Sequence, residues 1–205
     1  MALLGMDLGG TKLASAVFTE FLSVGTGIGA GILVNGEVLR GSHDIAGAIG
    51  WMALNKPFTD EYISWGCFEY YASGAGIAGI AGRMIKADSE YDGFLKNIPS
   101  DELTSHEVFS AYEKGDPLAS EVIAQSVEFW GMAVANLISL FNPEKIIMGG
   151  GVFGPAIPLI PAIMKEASKW AQPVSINQVA VVESALAGDA GVTGAGYMAL
   201  KLIRN

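Results

Sequence analysis

Cysteine is almost missing from this chain: Cys67 is the only one in 205 residues, which excludes a disulfide framework within it. Positive charge is also scarce. Twelve Lys and Arg stand against 21 Asp and Glu, for a net charge of −9. Nucleic acid is therefore not expected as the main partner, because phosphate backbones call for clustered cations. No uninterrupted apolar run reaches the length of a membrane span, since Gly, Pro or polar residues break each one. The N-terminal stretch MALLGMDLGG has no basic start and meets an acid at Asp7, unlike a signal peptide. From these absences the cytoplasm is the expected location, and no membrane partner is expected. Apolar residues, at 51%, are plentiful enough for an ample core in one domain or two small ones. Glycine is abundant too: the 27 glycines cluster behind apolar strands, as ligand-facing turns do.

The central stretch is Phe21 to Gly50. An apolar strand, FLSV, runs into Gly25-Thr26-Gly27-Ile28-Gly29-Ala30-Gly31. Glycine at every second position leaves a bare backbone whose N–H groups can converge on an anion, and Thr26 adds a hydroxyl. Gly25-x-Gly27-x-x-Ala30 also matches a relaxed dinucleotide fingerprint, but that motif needs a helix next. The chain continues instead with an apolar run to Val34, then Asn35-Gly36, then Glu37-Val38-Leu39, the signature of a β-hairpin with a type I′ turn. The run thus reads as a phosphate cradle between strands, against the plainer alternative of a tight turn with no ligand.

Two more glycine turns occur. Leu3 to Asp7 and Leu13 to Phe18 read as paired strands around Leu8 to Lys12, which puts a carboxylate, a hydroxyl and a lysine at one tip. Asp7 there could serve Mg²⁺, which takes one or two carboxylates plus waters and phosphate oxygens. The other reading is a solvated hairpin tip. Glu144 to Met148 is a strand leading into Gly149-Gly150-Gly151, with a helix expected next and its N–H groups presented. Cys67 to Lys86 reads as one helix, whose small residues imply close packing. Thr104 to Glu107 is a capping box. Asp116-Pro117 opens the longest helix, which Asn142-Pro143 ends near Phe141 and whose apolar stripe is core or a subunit contact. Gln178 to Val182 is a strand, and Asp189 to Ile203 is a closing helix. Strands, hairpins and helices in this order indicate an α/β fold with a mixed sheet.

In motif order the chain resembles the ROK family of sugar kinases and related repressors, within the actin-like ATPase (ribonuclease H-like) fold. Asp7-Leu8-Gly9-Gly10-Thr11-Lys12 is similar to its first phosphate motif and Gly25 to Gly31 to its second. Asn142-Pro143-Glu144 with Ile146 to Gly151 resembles its nucleoside-side motif. Gly66-Cys67-Phe68-Glu69 resembles the end of its zinc and sugar signature, and Ala187 to Gly191 also fits. The resemblance implies transfer of the γ-phosphoryl of ATP, with Mg²⁺, to a hexose-type sugar. It places Asp7, Gly9, Gly10, Thr11, Lys12, Gly25, Thr26 and Gly27 at the phosphates, with Asp7 reaching Mg²⁺ through water. Gly150 and Gly151 fall nearer the nucleoside, and Glu69 at the sugar.

The departures from the family pattern bear on activity. The family's catalytic aspartate lies between its two phosphate motifs, where this chain has only Phe18-Thr19-Glu20 before the strand at Phe21. The resemblance therefore implies a remnant of the N-terminal phosphate-binding subdomain in 1–20 and a largely complete C-terminal domain in 21–205. The closing helix, about 189–203, would pack back on the first strands. The family's Glu-x-Gly-His reads Ala48-Ile49-Gly50-Trp51 here, and Asp60 and Tyr62 stand where cysteines are expected, so zinc is not expected. Asp44 and Asp189 are the substitute carboxylates to weigh as base, each more simply a loop residue and an N-cap. His43 and His106 read as surface residues. Phosphotransfer by this chain is doubtful on these grounds. The alternative is a non-catalytic nucleotide-binding or oligomerising homologue, with a homodimer or larger covering the exposed apolar surface. A repressor role would need a basic helix-turn-helix, which is not seen.

Overall fold

Alternation of buried and half-buried residues along β3 sets the two faces of the central sheet. In the computed structural model, which describes residues 4–8, 11–16, 18–186 and 189–203, β3 (Phe18–Val24) pairs antiparallel with β4 (Ile28–Val34), and β4 with β5 (Glu37–Val38). On its other side β3 runs parallel to β6 (Lys145–Gly149), and β6 parallel to β7 (Ala180–Glu183). The order is β5-β4-β3-β6-β7. Leu22, Val24, Ile32, Ile146 and Met148 point to one face and are buried under helices. Phe21, Leu33, Ile147 and Val182 point to the other face and stay partly accessible. A separate antiparallel pair, β1 (Leu4–Leu8) with β2 (Thr11–Ala16), sets Asp7 opposite Lys12 and Leu8 opposite Thr11, as expected of the first hairpin. Its tip, Gly9 and Gly10, lies outside the described residues.

The Asn35-Gly36 turn forms as expected, with both residues at positive φ (53° and 81°), the geometry a type I′ turn requires. β3 begins at Phe18, earlier than the expected Phe21, because pairing with β4 continues through Thr19 and Glu20.

The helical layer departs from expectation in three places. The helix expected over Cys67 to Lys86 is two helices, α2 (Cys67–Ala72) and α3 (Gly74–Ala87). Ser73 is extended between them (φ −79°, ψ 168°) and its hydroxyl accepts from the Gly76 N–H at 2.9 Å, so it is an N-cap inside the apparent helix. A short helix, α1 (Glu61–Trp65), forms in a stretch for which no element was expected. No α-helix follows Gly149-Gly150-Gly151 directly: a 3₁₀ turn at Gly151–Phe153 comes first, and α6 (Ile160–Ala167) starts nine residues on, at its own Pro.

Other ends follow the sequence. α4 (Ser105–Glu113) starts at the Thr104 capping box. α5 (Pro117–Phe141) starts at Asp116 and ends at Asn142, which turns left-handed (φ 42°). By length and composition α5 could cross a membrane, contrary to the reading of the runs in sequence. Its flank is buried from Leu118 to Ile138, so it is the core helix of the fold. Its indole at Trp130 donates to the Ala72 carbonyl at 3.0 Å and so holds the end of α2. The final helix, α7 (Ala190–Ile203), carries exposed Val192, Tyr197 and Leu200. The contact expected between it and the first strands falls on side chains outside those described.

Candidate functional site

The hairpin tip Gly25-Thr26-Gly27 joins β3 to β4 in three residues, so no helix comes after it and the dinucleotide reading fails in space as it does in sequence. The tip rests on the N-terminus of α3. The Gly74 N–H donates to the Gly25 carbonyl at 2.7 Å, and the Ala75 N–H to the Thr26 carbonyl at 3.3 Å. With Gly76 capped by Ser73, the first-turn donors of α3 are consumed within the chain. Any anion must therefore be met by the turn. There the Gly25 N–H donates to the Gly27 carbonyl, while the Thr26 and Gly27 N–H groups and the exposed Thr26 hydroxyl donate to no described residue.

Gly25 and Thr26 of this turn border a cleft of about 510 Å³. One wall is Gly74, Ala75 and Ala78 of α3, and the opposite wall is Thr104, Ser105 and His106 at the start of α4. Gly151 and Val152 close it from the end of β6. Two of the three glycine turns thus meet at one opening, beyond the carboxyl ends of parallel strands β3 and β6, where open α/β sheets take their ligands. Gly150 makes this approach possible: its φ is +88°, and a Cβ there would overlap the Val24 carbonyl oxygen. Its own face turns to a neighbouring cavity with Gly149. Sequence reading missed the walls. The small residues of α3 looked like packing positions, and His106 looked like a surface residue with only a capping context. The described lining holds no Lys or Arg.

Glu69 lies behind the turn. One of its carboxylate oxygens accepts the Ile28 N–H at 2.6 Å, and a Cβ on either Gly27 or Gly50 would come within 2.8 Å of that oxygen. The acid is thus wedged between the start of β4 and the 3₁₀ turn Ile49–Trp51. Asp44 lies elsewhere, on an exposed loop, in an ion pair with Arg40 at 2.5 Å. His43 is exposed beside it, and Asp189 is exposed before α7. Asp7, Thr11 and Lys12 are described in backbone only. Where cysteine ligands were considered, Asp60 is exposed and Tyr62 is buried, its hydroxyl sharing a 2.8 Å hydrogen bond with that of Tyr71. Asn55 also donates to Tyr71, at 2.9 Å, and Tyr71 stacks on Phe129 of α5. Burial, together with the Tyr71 hydrogen bond, pushes the Tyr62 phenol up to about 12.

One buried group was not foreseen as such. Glu20 sits in β3 between Ile32 and Ile146 with no exposed surface, and neither carboxylate oxygen has a hydrogen-bond partner. Desolvation pushes its pKa up to about 8.

Comparison with known proteins assigns this architecture. The family model described as "ROK family" matches residues 20–202. A glucokinase from Halalkalibacterium halodurans is 34% identical over 181 residues, covering 86% of this chain and 54% of the relative. A xylose repressor from Caldicellulosiruptor bescii is 33% identical over 132 residues, 63% of this chain and 32% of the repressor. The chain thus spans about half, or less, of the length of these relatives. A ROK glucokinase from Streptomyces griseus, solved with glucose and AMPPNP, superposes with a TM-score of 0.74 at 26% identity, over 89% of this chain and 60% of that one. With its mixed five-stranded sheet, its helical layer and its glycine turns in this arrangement, the chain belongs to the ROK family, whose members here include sugar kinases and transcriptional repressors, and has the α/β, actin-like fold.

Proposed function

We propose that this chain binds a nucleoside di- or triphosphate with its Mg²⁺, ATP or ADP, in the 510 Å³ cleft, as a relative of the ROK sugar kinases that does not itself complete phosphoryl transfer. The carrying observation is the hairpin tip, where the Thr26 N–H and hydroxyl have no acceptor in the described chain and Thr26 lines the cleft. Such convergent donors fit phosphate oxygens. The AMPPNP held by the Streptomyces griseus relative supports the same ligand class. Gly25, Thr26 and Gly27 would hold phosphate oxygens, Gly150 and Gly151 would lie toward the nucleoside, and Gly9, Gly10, Thr11 and Lys12 would close over the phosphates. When bound, Mg²⁺ supplies charge neutralisation, with Asp7 as its water-bridged contact. Glu69 would accept from a sugar hydroxyl. No described carboxylate projects into the cleft to take the acceptor's proton, and the family's aspartate-bearing segment has no counterpart between Ala16 and Phe21. A cytoplasmic location accords with that ligand.

Isothermal titration with Mg·ADP should give saturable one-site binding, weakened roughly tenfold in Thr26→Val by loss of one charge-assisted hydrogen bond. ADP release from ATP should stay at background whether or not glucose is added. No heat of binding at millimolar Mg·ADP would sink the nucleotide reading, and glucose-dependent turnover would sink the inactive one.

The partly open sheet face around Phe21 and Ile147, with exposed Val192, Tyr197 and Leu200 on α7, supports a second reading as an oligomerising subunit. Sedimentation should then show a homodimer or larger, and a monomer across micromolar dilution would remove this reading.

A further inference from the structure

A small cavity of about 150 Å³ lies where α1, α2 and α3 meet. Trp65, half-exposed at the end of α1, gives one wall and Tyr70 of α2 another. Ala75, Gly76 and Gly79 of α3 leave nearly bare backbone between them, and Arg83, one turn further along α3, completes the lining. Ala75 is the one lining residue shared with the 510 Å³ cleft, so the two spaces are distinct. An apolar cavity of this size admits a single benzene ring.

The Arg83 guanidinium is set in place but not neutralised. Its carbon lies 4.6 Å from the centre of the Tyr70 ring. That ring is braced edge-to-face by Tyr62 and Tyr71, with centroids 5.6 and 5.0 Å away. Gly79 gives room on the α3 side, where a Cβ would sit 3.4 Å from a guanidinium nitrogen. Stacking occupies the face of a guanidinium and leaves its N–H donors in their own plane, free for an anion. Arg83 makes no hydrogen bond or ion pair among the described residues. Two acids lie in its surroundings. The Glu61 carboxyl is drawn below its ordinary value first by its own backbone N–H and then by the Thr59 hydroxyl, and Arg83 adds least. Glu121 shares a separate cavity of about 220 Å³ with Arg83 but forms no ion pair with it. The Trp65 indole N–H likewise has no acceptor among the described residues. Aromatic walls, room for one ring and a planar unpaired cation suit a flat apolar body that bears one carboxylate. A polyanion is disfavoured, because the chain carries −9 overall and the lining offers one cation against it. We propose that this cavity binds a small, single-ring aromatic monocarboxylic acid. The ring packs on Trp65 and the bare face of α3, and the carboxylate accepts from the in-plane N–H groups of Arg83. This site stands apart from the nucleotide reading.

The test is an NMR titration of the full chain with phenylacetate, followed at the tryptophan indole N–H signals. Trp65→Phe identifies the Trp65 signal among the four. That signal should move saturably, with half-saturation at about 1 mM, as expected of so small a ligand. Phenylacetamide keeps the shape without the charge, and acetate keeps the charge without the ring. Each should bind roughly tenfold more weakly than phenylacetate. Arg83→Gln, a change at an exposed side chain, should bring acid and amide to within about twofold. Arg83→Lys, which keeps the charge but loses the planar fork, should fall between. Inorganic phosphate should not displace phenylacetate. No saturable shift at Trp65, an amide that binds as well as the acid, or an acid preference that survives Arg83→Gln would overturn the assignment. Displacement by an equal concentration of phosphate would overturn it too.

Discussion

Replacing Glu20 with leucine should stabilise the chain, by an amount that grows with pH. The carboxyl is fully buried in β3, has no hydrogen-bond partner, and has its pKa raised from 4.5 to about 8. The folded state therefore keeps a proton that the unfolded chain releases. Stability falls as pH climbs from about 4.5 to about 8 and levels off above that, at about 1.4 kcal/mol per pH unit. At pH 7 the accumulated penalty is about 3 kcal/mol, and above pH 8 about 5 kcal/mol. Below pH 4.5 the proton term vanishes. The remainder is the cost of a neutral carboxyl buried without partners, about 1–3 kcal/mol. Leucine removes both contributions at similar volume, whereas Glu20→Gln removes only the titration. Urea unfolding of the wild type and both variants between pH 4.5 and 9 reads this directly, because other titrating groups cancel in the difference. The Leu gain should rise by about 3 kcal/mol between pH 4.5 and 7, in step with the Gln gain. A gap that stays flat with pH, or a leucine variant less stable than the wild type at pH 7, would refute the reasoning.

Two further predictions concern ordered acids. The Asp116 carboxylate accepts from the Ala119 N–H at 2.9 Å, the Tyr91 hydroxyl at 2.8 Å and the Phe94 N–H at 2.9 Å. Asp116→Ala should therefore cost about 2–4 kcal/mol in chemical unfolding at neutral pH. Burial raises this carboxyl's pKa, but the hydrogen bonds outweigh it and hold the group below its ordinary 3.8. Its contribution is thus present above pH 3.8 and fades as pH falls further, so wild type and Asp116→Asn should converge in acid. Gly27→Ala would drive a methyl to within 2.8 Å of the Glu69 carboxylate and press it off the Ile28 N–H. Thermal unfolding should show a loss of about 1–3 kcal/mol, and Mg·ADP affinity should fall with it. An alanine variant with wild-type stability would mean that Glu69 can move aside freely.

Local chemistry was readable where it acts through the backbone. Asn35-Gly36, the Thr104 box and the Asp116-Pro117 cap each dictate a turn or a helix end within a few residues, and each forms. The order of apolar strands likewise indicated an α/β fold with a mixed sheet. Ser73 escaped notice because a helix break made by one N-cap looks, in sequence, like helix through and through. The 3₁₀ turn at Gly151 escaped because glycine signals a turn without specifying the next element. The glycine turns that border the candidate cleft were legible at Gly25, Thr26 and Gly151, but its walls were not. Ala78, Ser105 and His106 are brought there only by the packing of α3 against α4, a contact that no local pattern encodes. Glu20 was read only as part of the short link before Phe21, whereas its burial depends on strand pairing that continues through that point.

The hydrogen bonds from Gly74 and Ala75 to the hairpin tip also carry a kinetic consequence. They fasten the loop that would meet the ligand to the first turn of a fourteen-residue helix, so its donors are already aimed before anything arrives. Little ordering is left for binding to supply at this point, and association there resembles docking onto a finished surface more than the closing of a loop. In rapid mixing, occupancy of this turn should appear as a single phase whose rate rises in proportion to ligand concentration, with no plateau set by a rearrangement of the hairpin.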